Sequence, residues 1–189
     1  MFQRLVSTLA LCLFAAACTP GAQAGATAVA DSGSTSPAPE FTGINHWINS
    51  EPLRMEELRG KVVLVEFWTY SCINCIRVMP YVKQWHERYR DQGLVVVGVH
   101  TPEYGYERLT KNVEAAVKRF GIEYAVAQDN GYATWKAYGN RYWPALYLVD
   151  RNGRVVYRHF GEGDYARTEA AIRQALASSA NPTSAEEAL

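Results

Sequence analysis

Two cysteines three positions apart, Cys72 and Cys75, stand where an apolar run ends and a helical pattern begins. That junction constrains the fold more than any other stretch. Residues 62–67 (Val-Val-Leu-Val-Glu-Phe) read as a strand buried on both faces, as in a parallel sheet. Small and polar residues then turn the chain into a helix expected over 75–90, broken or kinked at Pro80. Such a junction puts Cys72 near a helix N-terminus, where free N–H groups and the macrodipole favour a thiolate. Cys75 lies one turn further in, close enough to close a disulfide, so one sulfur can attack while the other resolves.

Two blander readings stand beside this one. Zinc usually takes four ligands in paired motifs, but His46, His86, His100 and His159 are isolated and there is no second cysteine pair. A structural bridge over so short a loop removes little chain entropy. Strand–helix context favours redox work.

Nearly half of the 189 residues are hydrophobic, enough for one well-buried domain with extensions. The formal net charge is zero without a basic stripe, which argues against a nucleic-acid partner. Residues 1–24 read as a signal peptide with an apolar core at 5–17, too short to span a bilayer comfortably. Two processing routes stay open. Ala22-Gln23-Ala24 fits a small-x-small cleavage site, and Ala15-Ala16-Ala17-Cys18 resembles a bacterial lipobox that would lipidate Cys18. Either route leads to an oxidising compartment, so the periplasm is expected, with a lipid anchor at Cys18 in the second case. Cys12 would leave with the apolar run.

Residues 25–39, rich in Ala, Gly, Ser, Thr and Pro, read as a flexible linker, and residues 40–178 as the folded domain. Short strands are expected at Trp47-Ile48 and 124–127, a longer one at 94–99, and helices from Leu109 to Phe120, at 132–138 and at 168–177. Strands at 145–149 and 155–159 flank Asn152-Gly153, a hairpin signal. The tail 179–189 reads as loose. Strands alternating with helices and ending in a hairpin indicate an α/β domain with a mixed sheet.

Glu66 interrupts the apolar strand six residues before Cys72. A buried carboxyl is costly without a partner or a task, and burial raises its pKa. It could exchange a proton with Cys75, or be a salt-bridged strand residue. Pro144 precedes a strand, where a trans bond is the default. Trp68, Tyr70 and Trp143 lie near these motifs and offer a substrate-contact surface, although core packing explains most aromatics. His100 stands at the end of a strand, where sites gather, but a loop histidine is the simpler reading.

The motif, with Phe67-Trp68 before it and Pro80 after it, resembles the active site of thioredoxin-fold proteins. Glu66 falls where those proteins carry a buried acid, and Pro144 where they carry a cis-proline. The segment 40–60 and the extra helix and strand between Thr101 and Asn130 resemble the exported TlpA-like branch. Phe-Trp-Thr-Tyr-Ser-Cys-Ile-Asn-Cys (67–75), Gly-Val-His-Thr-Pro-Glu (98–103), Gly-Asn-Arg-Tyr-Trp-Pro (139–144) and Phe-Gly-Glu-Gly-Asp-Tyr (160–165) are similar to the thioredoxin domain of DipZ-type proteins. The resemblance implies a thioredoxin-like fold with an N-terminal extension and a central helix–strand insertion. It also implies a monomeric thiol–disulfide oxidoreductase acting outside the cytoplasm, with Cys72 attacking, Cys75 resolving and Pro144 cis. Its partners would be disulfide-containing exported proteins and a membrane or periplasmic thiol donor, with no cofactor and no metal.

Some positions depart from that pattern. Ile73-Asn74 replaces thioredoxin's Gly-Pro, Ser71 its tryptophan, and residues 94–99 hold no counterpart of the lysine that faces the buried acid. Two rival functions follow from the residues. Thr69-x-x-Cys72 matches part of a peroxiredoxin pattern, but Val65 stands where its proline belongs. A copper-handling protein would use Cys72, Cys75 and His159, since soft thiolates suit Cu(I), although such proteins space their cysteines wider.

Overall fold

The computed structural model describes residues 36–178. The signal segment 1–24 with Cys12 and Cys18, the linker as far as residue 35, and the tail 179–189 lie outside the described residues. Six strands form one sheet: β1 (His46–Ile48), β2 (Val62–Trp68), β3 (Leu94–His100), β4 (Ala125–Gln128), β5 (Ala145–Val149) and β6 (Val155–Phe160). Their order is β1-β4-β3-β2-β5-β6. The central β2, β3 and β4 are parallel, while β1, β5 and β6 join antiparallel to β4, β2 and β5 respectively.

Alternation along β2 sorts its side chains into two cores. Val62, Leu64 and Trp68 enter one with residues of α1 (Ile73–Tyr89), α2 (Thr110–Phe120) and α4 (Tyr165–Ala177). Val63, Val65 and Phe67 enter the other with Trp135 of α3 (Ala133–Ala137), Tyr138 and the N-terminal Phe41 and Met55. The segment ahead of β2 therefore covers a sheet face that would otherwise meet water. Its ordered contacts start before the expected boundary at residue 40. Ala38 N–H donates to Gly153 O at 2.8 Å, and Val155 N–H to Ser36 O at 3.2 Å.

α1 begins at Ile73, two residues earlier than expected, because the Cys72 sulfur caps it. It also runs unbroken through Pro80. Val78 and Met79 before the proline and Val82, Trp85 and Tyr89 after it are buried against the same core. Each such side chain contributes about 2 kcal/mol of burial, and the total outweighs one missing backbone donor. Pro80 itself faces solvent. Between β5 and β6, Asp150 Oδ1 accepts the N–H groups of Asn152 and Arg154 at 2.9 and 2.8 Å, and Gly153 takes positive φ, as the turn demands. Among the described residues no helix is long and apolar enough to cross a membrane.

Candidate active site

The site forms where β2 ends. Cys72 has extended backbone and serves as the N-cap of α1, its sulfur accepting the Cys75 N–H at 3.3 Å. Both cysteines are free thiols, Cys72 half-exposed and Cys75 buried. The Cys75 thiol donates to the Cys72 sulfur, which lowers the pKa of Cys72. Burial opposes that shift, and the N–H groups of Cys75 and Asn74 reinforce it, so the thiol sits at about 6. Cys75 moves the opposite way. Burial is the main cause, and the bond to Cys72 and the nearby charges of Cys72 and Glu66 add to it. The pair thus holds one ready thiolate above one reserved thiol.

Glu66 is wholly buried on the α1 face of β2, in register with Gly98 of β3 and Leu146 of β5. Burial lifts its carboxyl to about 7, against the opposing effect of a hydrogen bond from Tyr124. Tyr124 was not anticipated as a site residue, because its partner lies 58 positions away. Its only local sign was an aromatic at the start of a short strand.

The Trp143–Pro144 peptide is cis. Phe67 pairs with Ala145, so Pro144 follows the register to the same end of the sheet as the turn before Cys72. Trp143 is half-buried, its indole N–H donating to Thr101 O at 3.0 Å and its ring 4.2 Å from that of Trp135. Tyr70 is half-buried, stacks on His100 and donates its hydroxyl to Tyr106 O at 3.2 Å.

Three expectations need correction. Trp68 has no exposed surface and packs in the core with Cys75, so it presents no contact to a substrate. Strand alternation points it inward beside Glu66. His159 does not join the cysteines in a ligand set. It sits on β6, two strands from β2, and among the described residues no three His, Cys, Asp or Glu side chains converge to hold a metal.

His100 is a buried strand residue, not a loop histidine. Its Nε2 lies 3.3 Å from Thr69 Oγ1 and accepts the Tyr70 N–H at 3.4 Å, tying down the turn before Cys72. Burial lowers its pKa to about 4, which leaves it neutral. Glu107, also unanticipated, is buried under the loop after β3 and accepts from Ser71. Among the exposed apolar side chains, Ile73 stands between the two cysteines in sequence, and Tyr142, two residues before Pro144, packs on Phe160.

The Redoxin family model matches residues 33–176. The chain belongs to the Redoxin family. This Redoxin-family chain is 52% identical over 142 residues to Protein DipZ of Mycobacterium bovis, covering 74% of this chain and 20% of that protein. The chain therefore spans about a fifth of the length of its DipZ relative. It is 34% identical over 127 residues to the thiol-disulfide oxidoreductase YkuV of Bacillus subtilis, covering 67% of this chain and 84% of YkuV. The crystal structure of a thiol-disulfide isomerase from Corynebacterium glutamicum superposes with a TM-score of 0.67 at 28% identity, over 75% of this chain and 98% of that one. The fold is the thioredoxin-like fold, shared with solved thioredoxin-like proteins at 27–30% identity.

Proposed function

We propose that the chain is a monomeric thiol–disulfide oxidoreductase that reduces disulfides in exported proteins. The observation that carries this reading is the division of labour at α1: the Cys72 sulfur caps the helix while Cys75 is buried behind it. A thiolate with a pKa near 6 is largely ionised at neutral pH and still nucleophilic. The kinship with YkuV supports the reaction class.

The Cys72 thiolate attacks one sulfur of a substrate disulfide, and the other substrate sulfur leaves as a thiolate that takes a proton from water. Cys75 then gives its proton to the Glu66 carboxylate and attacks Cys72. The second substrate sulfur departs, and the Cys72–Cys75 disulfide remains. Two electrons have passed to the substrate, and a membrane or periplasmic thiol donor restores the dithiol. Substrate backbone pairs beside Pro144, with Trp143, Tyr70 and the exposed Ile73 and Tyr142 around it.

The N-terminal segment supports export to the periplasm, followed by cleavage after Ala24 or lipidation of Cys18.

The test is Cys75→Ser, expressed with its own N-terminus. Mixed disulfides with exported proteins, lost on reduction and absent from Cys72→Ser, are the expected result. No trapped partner, together with no reduction of insulin by the reduced wild-type protein, would overturn the proposal.

A further inference from the structure

The buried acid beneath the cysteines is held by a single described neighbour. Glu66 Oε2 accepts a 3.0 Å hydrogen bond from the hydroxyl of Tyr124, while Oε1 accepts none from a described residue. Both side chains are buried. Tyr124 lies just before β4, and β3 separates β4 from β2, so its ring must cross β3 to reach Glu66. Gly98, the register partner of Glu66 on β3, leaves that crossing open. A Cβ there would lie 3.0 Å from the Tyr124 ring and 2.9 Å from Trp68 Nε1.

The charged and titratable surroundings of Glu66 are few. Cys75 approaches from α1, close enough for the Glu66 charge to raise its pKa. Tyr124 approaches from the segment before β4. β3 and β5 place Gly98 and Leu146 opposite it. His86 of α1 meets the Tyr124 ring edge-on, with centroids 5.8 Å apart. Glu66 makes no ion pair among the described residues. The Tyr124 hydroxyl is the polar partner that Glu66 has among the described residues.

We propose that Tyr124 is a positioning residue for the resolving step: its hydroxyl occupies one oxygen of Glu66 and leaves Oε1 to receive the proton of Cys75. This rests on the oxidoreductase reading above, with Glu66 as the base. The hydroxyl does two things. It fixes the rotation of the carboxyl group, and by bonding the ionised form it offsets part of the cost of burial. Without it the base would hold its proton into more alkaline solution and be less available near neutrality. Tyr124 keeps its own proton throughout, since burial holds its pKa well above the ordinary value. In the mixed disulfide, the proton passes from Cys75 Sγ to Glu66 Oε1, the Cys75 thiolate attacks Cys72 Sγ, and the substrate sulfur leaves with the bonding electron pair.

The test variant is Tyr124→Phe, which keeps the ring over Gly98 and removes the hydroxyl. Glu66 is titrated by the infrared band of its protonated carboxyl in the dithiol protein, with Glu66→Gln as the blank. The midpoint is expected to rise by about one pH unit or more, the equivalent of one hydrogen bond to a charged group. The pH midpoint for resolution of a preformed mixed disulfide should rise with it, while that of Cys72 alkylation stays in place. In a Glu66→Gln background Tyr124→Phe should leave the resolution profile unchanged. An unmoved Glu66 midpoint in folded Tyr124→Phe, or a profile shift that persists in the Glu66→Gln background, would overturn the proposal. Should Tyr124→Phe fail to fold, a fluorotyrosine placed at position 124 is a stronger donor of nearly the same shape. It should lower the Glu66 midpoint, and no change would overturn the proposal. The titration needs no substrate, so a failure of the oxidoreductase reading shows separately, as a folded protein that titrates as expected but reduces no disulfide.

Discussion

The hydroxyl of Ser71, one residue before Cys72, donates a 2.5 Å hydrogen bond to Oε1 of Glu107. The other oxygen of that carboxylate accepts the N–H groups of Glu103 and Tyr104 at 2.6 and 2.8 Å. One buried anion thus joins the turn that carries the reactive sulfur to the loop that follows β3. Burial pushes the Glu107 carboxyl up, but the bonds from Ser71, Tyr104, Thr69 and Glu103 overcome it and hold the group below the usual carboxylate range. The stacked rings of Tyr104 and Tyr106 ride on the same loop, and the Tyr106 hydroxyl lies 3.3 Å from Ser71 Oγ.

Glu107→Ala would leave two backbone donors without their acceptor and remove the shorter of the two hydrogen bonds of Ser71 Oγ. A loss of about 1–3 kcal/mol in unfolding free energy is expected. Faster amide exchange at Glu103 and Tyr104 should accompany it. Urea unfolding and hydrogen exchange by NMR check both, and Glu107→Gln should recover part of the loss.

Cys72 should react with iodoacetamide along a pH curve with its midpoint near 6, because the Cys75 thiol and the first-turn N–H groups bond its thiolate. Cys75, buried and with its pKa raised, should stay unmodified in the folded protein across the same range. Rate measurements followed by peptide mass analysis separate the two thiols. A Cys72 midpoint near the ordinary value of 9 would contradict the capping geometry.

Stability should fall with rising pH because of Glu66. Its carboxyl moves from the ordinary value of 4.5 to about 7 on folding, so between those values the folded chain holds a proton that the unfolded chain has lost. The contribution is complete below the unfolded value and disappears as pH rises through the folded one, about 3 kcal/mol in total. Glu66→Gln removes this dependence. The free-energy difference between variant and wild type, measured by denaturant unfolding from pH 4 to 8 on the reduced proteins, should grow steadily in the variant's favour. A constant difference would show that Glu66 is not a buried acid in solution.

Gly98→Ala should destabilise the fold by about 1–3 kcal/mol, the usual cost of overpacking. The added methyl would meet two core rings, Trp68 at 2.9 Å and Tyr124 at 3.0 Å. Guanidinium unfolding midpoints measure the loss. The backbone can adopt this conformation with any residue, so contact and not strain carries the effect.

Much of the fold follows from local pattern. Residues 62–67, valine-rich and apolar apart from Glu66, read as a covered strand, and the 3.6-residue spacing of Val113, Ala116 and Val117 marks one face of α2. Gly121 closes that helix in the left-handed conformation. Where prediction and structure differ, packing decides. Pro80 marks a break by propensity, yet α1 continues because its buried residues on both sides anchor to one core. Trp68 looked like a surface aromatic beside a reactive motif, but its parity on β2 sends it inward with Glu66.

From the residues alone come a reactive Cys72–Cys75 pair at a strand–helix junction, an acid on the strand before it, and the order of the elements. Those features depend on neighbours a few positions apart, through alternation, helical period and capping. The partner of the acid, the anchor of Ser71 and the burial of His100 came only with the tertiary structure. Tyr124 lies 58 positions from Glu66, Glu107 lies 36 from Ser71, and His100 lies 31 from Thr69. Their hydrogen bonds exist because the sheet order sets β3 between β2 and β4, and no local periodicity carries that information.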